Sequence, residues 1–227
     1  MKSMQIKPDL ILLMMMLYNT LLVPVIAVTY SYNTLTLATC GAALLILLAA
    51  DAFMWWQHGR VSQPGAHAIR IGMLSGLLWV AEISVNNFIA PPLPMRDTID
   101  NIFWAVIAGV ILSLAGISAY RAKSIQAGMK AGTWSGFASG ALACGMALSL
   151  IVFGMGFITR DPLNITEWAA RGAGSSAPGM AAYFAFETLA GGLMHLVILG
   201  LAMGALLGIL GGALGTAIRY TSDPDSR

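Results

Sequence analysis

Glu82 is the residue best placed for chemistry, because it is a lone acid inside a long apolar stretch of the sequence. It lies near the middle of a predicted span over residues 71–90, where an ionised carboxylate is costly and usually has a function. One polar stripe, at steps of four, three and four residues, contains Ser75, Trp79, Glu82 and Asn86. Residues at this spacing share one face of a helix. The stripe predicts a proton or cation site in which Asn86 and Ser75 assist Glu82, and the alternative is an acid that only holds two helices together.

Two further titratable residues, Glu187 and His195, lie in the last apolar stretch. They are eight residues apart, which on a straight helix is about 12 Å along the axis and about 80° around it. They therefore cannot touch each other. We expect both to contribute to a substrate or ion path, with His195 facing Glu82. The alternatives are a packing role for His195 and, for Glu187, an acid stabilised by the helix dipole near an external helix start.

A ladder of glycines at a strict spacing of four follows His195. It consists of Gly200, Gly204, Gly208 and Gly212. In a bilayer, the backbone can satisfy its hydrogen bonds only as a helix, and small residues then let a second helix approach closely. The ladder predicts a glycine zipper, a helix-packing face for a neighbouring helix, for another copy of the chain or for other membrane subunits.

The composition places the chain among membrane proteins. Of its 227 residues, 58% are hydrophobic and only 10% are charged, against roughly 25% charged in soluble domains. The net charge of +2 and the absence of basic runs give nucleic-acid binding no support. No sequence motif for a nucleotide, a haem, a metal ion or a nucleophilic enzyme is present, so no cofactor and no metal site is predicted. Cys40 and Cys144 stand singly and are expected to be core residues.

Apolar stretches of bilayer-spanning length predict an all-α bundle of six transmembrane helices in a single transmembrane domain. The predicted spans cover residues at about 10–29, 34–53, 71–90, 99–120, 131–157 and 181–218. The first could also be a signal peptide, but its apolar run is long for one, which favours an uncleaved helix. The last is longer than a bilayer core requires, so that it must tilt, bend or project.

The segments that connect the spans also contain residues that predict their local structure. We expect residues 57–70 to form a loop, because they contain the turn former Pro64-Gly65. We also expect Pro91-Pro92-Leu93-Pro94 to end the third span, because these prolines cannot continue a helix. A short external helix is predicted over residues 164–172, with a Thr or Asn cap and a Glu167 to Arg171 pair four residues apart.

Three polar residues of the first two spans also have predicted contacts. Asn19 and Thr20 are expected to bond a neighbouring helix, and Asp51 is expected to reach lipid headgroups or Arg60.

Two pairs of segments suggest an internal duplication. Gly72-Met-Leu-Ser-Gly76 opens the third span and Gly132-Thr-Trp-Ser-Gly136 opens the fifth, while Asp97-Thr98 and Glu187-Thr188 begin similar stretches in the fourth and sixth. Together these matches indicate a parallel duplication of a helical hairpin, formed by spans 3–4 and 5–6. The alternative is chance similarity in a glycine-rich chain. Glu82 has no acidic counterpart in the second copy.

The distribution of basic residues predicts the orientation. With six spans, the side that holds both termini carries nine Lys and Arg residues, and the other side carries three. By the positive-inside rule, both termini are expected in the cytoplasm. Small glycine-rich hairpins are common in bacterial membrane proteins, so we expect the bacterial inner membrane.

Three classes of function remain open at this stage. The first is a protein that translocates a proton, a cation or a small solute with an intramembrane carboxylate. The second is an accessory or scaffold subunit that packs through the glycine ladder. The least favoured is an integral-membrane enzyme that uses Glu82 and His195 as acid and base.

Overall fold

Six long helices dominate the protein. The computed structural model describes residues 7–222, and these residues form helices and contain no strand. Six of the helices are long and apolar enough to cross a membrane, which confirms the predicted all-α six-helix membrane bundle. Lys2 and Arg227, which the charge count includes, lie outside the described residues.

The helices have the following bounds: α1 (Pro8–Tyr30), α2 (Thr34–Gln57), α3 (Gln63–Ser84), α4 (Leu93–Ala122), α5 (Ile125–Phe153), α6 (Met155–Ile158), α7 (Pro162–Glu167), α8 (Met180–Met194) and α9 (Met203–Ser222). Three π-helical segments extend this set: Val85–Ile89 continues α3, Trp168–Gly172 continues α7, and His195–Ala202 joins α8 to α9. Together, α8, the segment His195–Ala202 and α9 form one helix of 43 residues, Met180–Ser222. We call this the long C-terminal helix.

Three spanning helices begin about six residues or more before their predicted starts: α5 begins at Ile125 rather than at about residue 131, and α3 and α4 begin early at a proline. α3 begins at Gln63, so part of the predicted 57–70 loop is helical. α4 begins at Leu93 rather than at about residue 99. In both cases a proline, Pro64 or Pro94, lies in the first turn, where the missing N–H costs no hydrogen bond and the fixed φ favours the helix. The prolines that were interpreted as breaks are therefore helix starts.

The short external helix also forms. Asp161 caps α7 by accepting a hydrogen bond from the Leu163 amide, so the cap is neither Thr nor Asn. The predicted pair is confirmed, because Arg171 Nη2 lies 2.8 Å from Glu167 Oε1.

α5 is the central helix of the bundle, and it contacts α1, α3, α4, α8 and the long C-terminal helix. Glycine, alanine and serine occur on every side of α5. Small side chains let neighbouring helices approach closely from several directions at once. Cys144 is fully buried in this helix, as predicted.

The glycine ladder of the long C-terminal helix packs against α5, which has a matching ladder at the same spacing: Gly128, Gly132, Gly136 and Gly140. A Cβ atom added to Gly204 would lie 2.8 Å from the carbonyl oxygen of Gly132 and 3.0 Å from Cα of Gly136. These distances leave no room for a side chain, so the two helices touch through their backbones. The helix that packs against the glycine ladder is therefore α5 of the same chain.

Buried polar residues join α1 to α5 and to α2. Asn19 Nδ2 donates to the Ala141 carbonyl at 3.0 Å, and Thr20 Oγ1 donates to Asp51 Oδ2 at 2.6 Å. The prediction that Asn19 and Thr20 bond neighbouring helices is confirmed. The prediction for Asp51 is wrong: this residue is buried between α1 and α2 and hydrogen-bonds to Thr20. We call Thr20 and Asp51 the α1–α2 site.

The two ends of the bundle can be told apart by their contacts. One end, the N-terminal face, holds the start of α1 and the connections after α2 and α4; here His58 Nδ1 lies 3.0 Å from Asp9 Oδ2. The other end, the opposite face, holds the ends of α1, α3 and α5; here Arg96 pairs with Asp161. The six spans therefore alternate in direction.

The two Gly-x-x-Ser-Gly segments share one local feature. Ser75 Oγ donates to the carbonyl of Gly72, and Ser135 Oγ donates to the carbonyl of Gly132. Their neighbours differ, because a side chain on Gly72 would meet the Ser135 backbone, whereas one on Gly132 would meet Gly208. The equivalent residues thus pack against different helices.

Candidate functional site

Two acids share one amide between α3 and α4. Asn86 Nδ2 donates to Glu82 Oε1 and also to Asp100 Oδ1, each at 2.7 Å. The two carboxyl oxygens therefore cannot be more than twice that distance apart. Glu82 is buried, and Asn86 and Asp100 are half-buried. We call these three residues the acid cluster.

Local helix geometry places each member of the acid cluster. Glu82 lies in the last turn of α3, and Asn86 follows it by four residues in the π-helical segment Val85–Ile89. The i to i+4 spacing brings their side chains together on one face. Short π-helical segments in α-helices are often found at functional sites. Asp100 lies seven residues after the start of α4 and meets them from the neighbouring helix.

The cluster lies closer to one end of the bundle than the sequence suggested. Glu82 is nineteen residues after the start of α3 and seven before Ile89. At 1.5 Å per residue, it is about 10 Å from the opposite face. The prediction placed it near the bilayer centre because the first turns of α3 were assigned to a loop.

An ion pair lies between the acid cluster and the end of the bundle that we call the opposite face. Arg96 lies one turn before Asp100 in α4, and its Nη1 is 2.9 Å from Asp161 Oδ2. Asp161 is buried, and its other oxygen caps α7. The pair therefore ties the start of α4 to the connection that follows α5, directly above the acids.

An aromatic layer lies on the inner side of the cluster. The Trp79 ring is 5.0 Å from the Trp104 ring and 4.8 Å from the His195 ring, both edge to face. Trp79 precedes Glu82 by one turn and Trp104 follows Asp100 by one turn, so this layer lies below the acids. His195 Nδ1 is 2.7 Å from the Gly191 carbonyl. Because a carbonyl only accepts, Nδ1 carries the hydrogen.

A small cavity adjoins the aromatic layer. Its volume is about 90 Å³, and its lining includes Trp79, Trp104, Ser139 and Gly200. Ser139 is buried, and its hydroxyl has no hydrogen-bond partner within residues 7–222. A cavity of this size has room for a few water molecules, which a hydroxyl could hydrogen-bond.

The structure brings together some of the predicted site residues and separates others. Glu82 and Asn86 are in direct contact. Ser75 is on the same face, but its hydroxyl is used by the Gly72 carbonyl, so it is not a ligand of the cluster. His195 reaches the aromatic layer, where it contacts Trp79. Glu187 is exposed and forms no hydrogen bond or ion pair with the acid cluster.

Asp100 is the residue that the sequence analysis missed. It was placed at the very start of the fourth span, where an acid is unremarkable. A signal was present, because Arg96, Asp100 and Trp104 follow one another at steps of four. This polar stripe complements the stripe of α3, and two such stripes on consecutive helices predict one shared site.

The chemistry open to the cluster is that of carboxyl groups. In the described part of the chain, no three His, Cys, Asp or Glu side chains are grouped so as to hold a metal ion. Two carboxyl groups around one donor can share a proton, as other close carboxyl pairs do. The buried oxygen of the same amide, Asn86 Oδ1, has no partner among residues 7–222.

Comparison of the chain with models of protein families, with curated proteins and with solved structures found no match in any of the three.

Proposed function

We propose that this membrane protein translocates protons, and that Glu82 and Asp100 act together as the proton-binding site. The observation that carries the proposal is the single Asn86 amide that donates to both carboxyl groups. Two acids this close together repel each other when both are ionised, and one shared proton removes that repulsion. A proton held in this way can leave toward either side when one of the two acids changes its neighbours.

The surroundings of the cluster support a path along α3 and α4. On one side, the Arg96 and Asp161 pair lies between the acids and the opposite face. On the other side, the aromatic layer leads to the cavity with the free Ser139 hydroxyl. Proton relays in membranes use such alternations of acids, histidines and hydrogen-bonding groups.

A small cation is the second candidate, and one observation favours it. Asn86 Oδ1 is buried without a partner in the described chain. If the amide turned over, its oxygen would join two carboxylates, and oxygen ligands of this kind suit hard cations.

Flux measurements in proteoliposomes test the proposal. Purified protein is reconstituted with a pH-sensitive dye inside, and a K⁺ diffusion potential drives proton entry. Glu82→Gln should lower the flux by about tenfold or more, because an amide cannot release a proton on this timescale. The matched control is Asp97→Asn, an exposed acid in the same helix as Asp100, which should retain the wild-type flux.

The outcomes separate the candidates. Proton entry that follows the K⁺ diffusion potential and is unchanged when Na⁺ is removed supports proton translocation, whereas entry of Na⁺ or Rb⁺ without pH change supports the cation. A Glu82→Gln protein that folds as the wild type and conducts as well would contradict both. Size-exclusion chromatography establishes which variants fold.

The accessory-subunit alternative relied on the glycine ladder as its docking surface, and the packing of that ladder does not favour it. The ladder is occupied by α5, so Gly204→Leu should destabilise the chain itself rather than release a partner. Overpacking of this kind costs about 1 to 3 kcal/mol or more. The control is Gly109→Leu, where a Cβ meets no atom within 4 Å. An unchanged melting temperature for Gly204→Leu, together with loss of a co-purifying protein, would restore the alternative.

An enzyme that uses Glu82 and His195 is not favoured by the geometry. These residues form no hydrogen bond or ion pair with each other in the described chain, and His195 lies against the Trp79 ring instead. An acid and a base need a common substrate position within hydrogen-bond reach.

We also propose the bacterial inner membrane, with both termini in the cytoplasm. Most basic residues of the described chain lie at the N-terminal face: Lys7, Arg60, Arg70, Arg121, Lys123, Lys130 and Arg219. The positive-inside rule favours this face as the cytoplasmic one. Self-association or binding of other subunits would need a surface outside the ladder.

A further inference from the structure

A large groove opens at the N-terminal face, between the start of α3, the end of α4 and the start of α5. Its volume is about 780 Å³. The inner wall is apolar and includes Leu114, Ile117 and Trp134, while basic side chains stand at the rim. None of the residues that line it is acidic.

Three basic residues form the rim: His67, Arg121 and Lys130. All three are exposed. None of them has a hydrogen bond or an ion pair to another residue of the described chain. Ser124 also lines the groove, and its hydroxyl makes no capping bond at the start of α5. The rim therefore offers positive charge and donors that no group in residues 7–222 uses.

A second groove of about 710 Å³ runs along the other face of α4, toward α9. Ile117 and Arg121 line both grooves. The walls of the second groove are also largely apolar and include Leu112, Leu214 and Ile218. A ligand with its charged group at Arg121 thus finds an apolar groove on each side of α4.

We propose that this face binds an anionic two-chain phospholipid, with its phosphate at Arg121 and Lys130 and one acyl chain in each groove. Basic pockets between transmembrane helices are where anionic headgroups bind. The charge of the rim selects a negative headgroup, and the paired apolar grooves select two hydrocarbon chains over a soluble phosphate. Along α3, the rim residue His67 lies fifteen residues before Glu82, or about 22 Å at 1.5 Å per residue. The lipid site is therefore separate from the acid cluster and does not depend on the proposed proton flux.

Native mass spectrometry of the full chain in detergent tests the site. Phosphatidylglycerol should bind about tenfold more tightly than phosphatidylcholine, since only the former carries net negative charge. Inorganic phosphate at millimolar concentration should not compete. Equal binding of the two lipids would overturn the proposal, and so would displacement by inorganic phosphate.

Variants locate the site. Arg121→Gln with Lys130→Gln should lower phosphatidylglycerol binding by about fivefold or more, because the headgroup loses both cations. Arg70→Gln removes one charge from the same face but lines a different cavity, and it should bind as the wild type does. Ile117→Trp, at an exposed position, should fill both grooves and lower binding without a change of charge. Unaltered selectivity in the double variant and in Ile117→Trp would contradict the assignment.

Discussion

Two of the places where the described chain buries an acid between helices differ in how their donors are arranged. At the α1–α2 site, Thr20 Oγ1 donates to Asp51 Oδ2 at 2.6 Å, and no second acid of residues 7–222 shares this donor. At the acid cluster, one Asn86 amide serves two acids. The first lies six residues before the end of α2, toward the N-terminal face, and the second lies toward the opposite face.

In the function proposed above, this difference separates a structural role from a chemical one. A single acid with its own hydroxyl donor joins two helices in hydrocarbon. A pair of acids with one shared donor can hold an exchangeable proton between them. Burial alone does not distinguish the sites, because both Asp51 and Glu82 are buried. Variants that remove the hydrogen-bond donor at each site test this difference by experiment.

The largest effect is expected for Asn86→Leu, which removes the amide that joins the acid cluster. The two carboxyl groups then lose their common donor, and proton flux in proteoliposomes should fall by about tenfold or more. Asn86→Gln keeps an amide one carbon further out and should recover part of the flux. Full flux in Asn86→Leu would show that the bridge is not part of the path.

A smaller effect is expected for Thr20→Val at the α1–α2 site. The change keeps the shape and removes the hydroxyl that Asp51 accepts. Stability in detergent should fall by about 1 kcal/mol, measured as a shift of the thermal midpoint. Flux should stay within about twofold of the wild type, because the proposed path does not include Asp51. A large loss of flux would instead make Asp51 a second member of the path.

The α3 half of the acid cluster was predicted from the sequence, and the α4 half was missed. Helical spacing alone places Glu82 and Asn86 on one face. Asp100 was missed because Pro94 was interpreted as a break, although a proline in the first turn is compatible with a helix start. The same misreading of Pro64 shortened α3 and placed Glu82 too near the bilayer centre.

The packing of the ladder shows a second limit of sequence reasoning. Periodicity predicts that Gly204 and its neighbours face another helix, but it does not say which one. Of the matching glycines of α5, Gly132 and Gly136 were noticed only as part of a repeat, because periodicity describes one helix at a time. The pairing depends on which helices the connections allow to meet, and that follows from the tertiary structure.

The most direct test of the central claim asks whether Glu82 and Asp100 act as one unit. Proton flux is measured for Glu82→Gln, for Asp100→Asn and for the protein with both changes, with equal amounts of folded protein in each liposome sample. Residues that work as a unit have strongly non-additive effects. We predict that either single change lowers the flux by about tenfold or more and that the double change lowers it no further. Full flux in Asp100→Asn, or a double variant whose loss is the product of two independent losses, would contradict the claim.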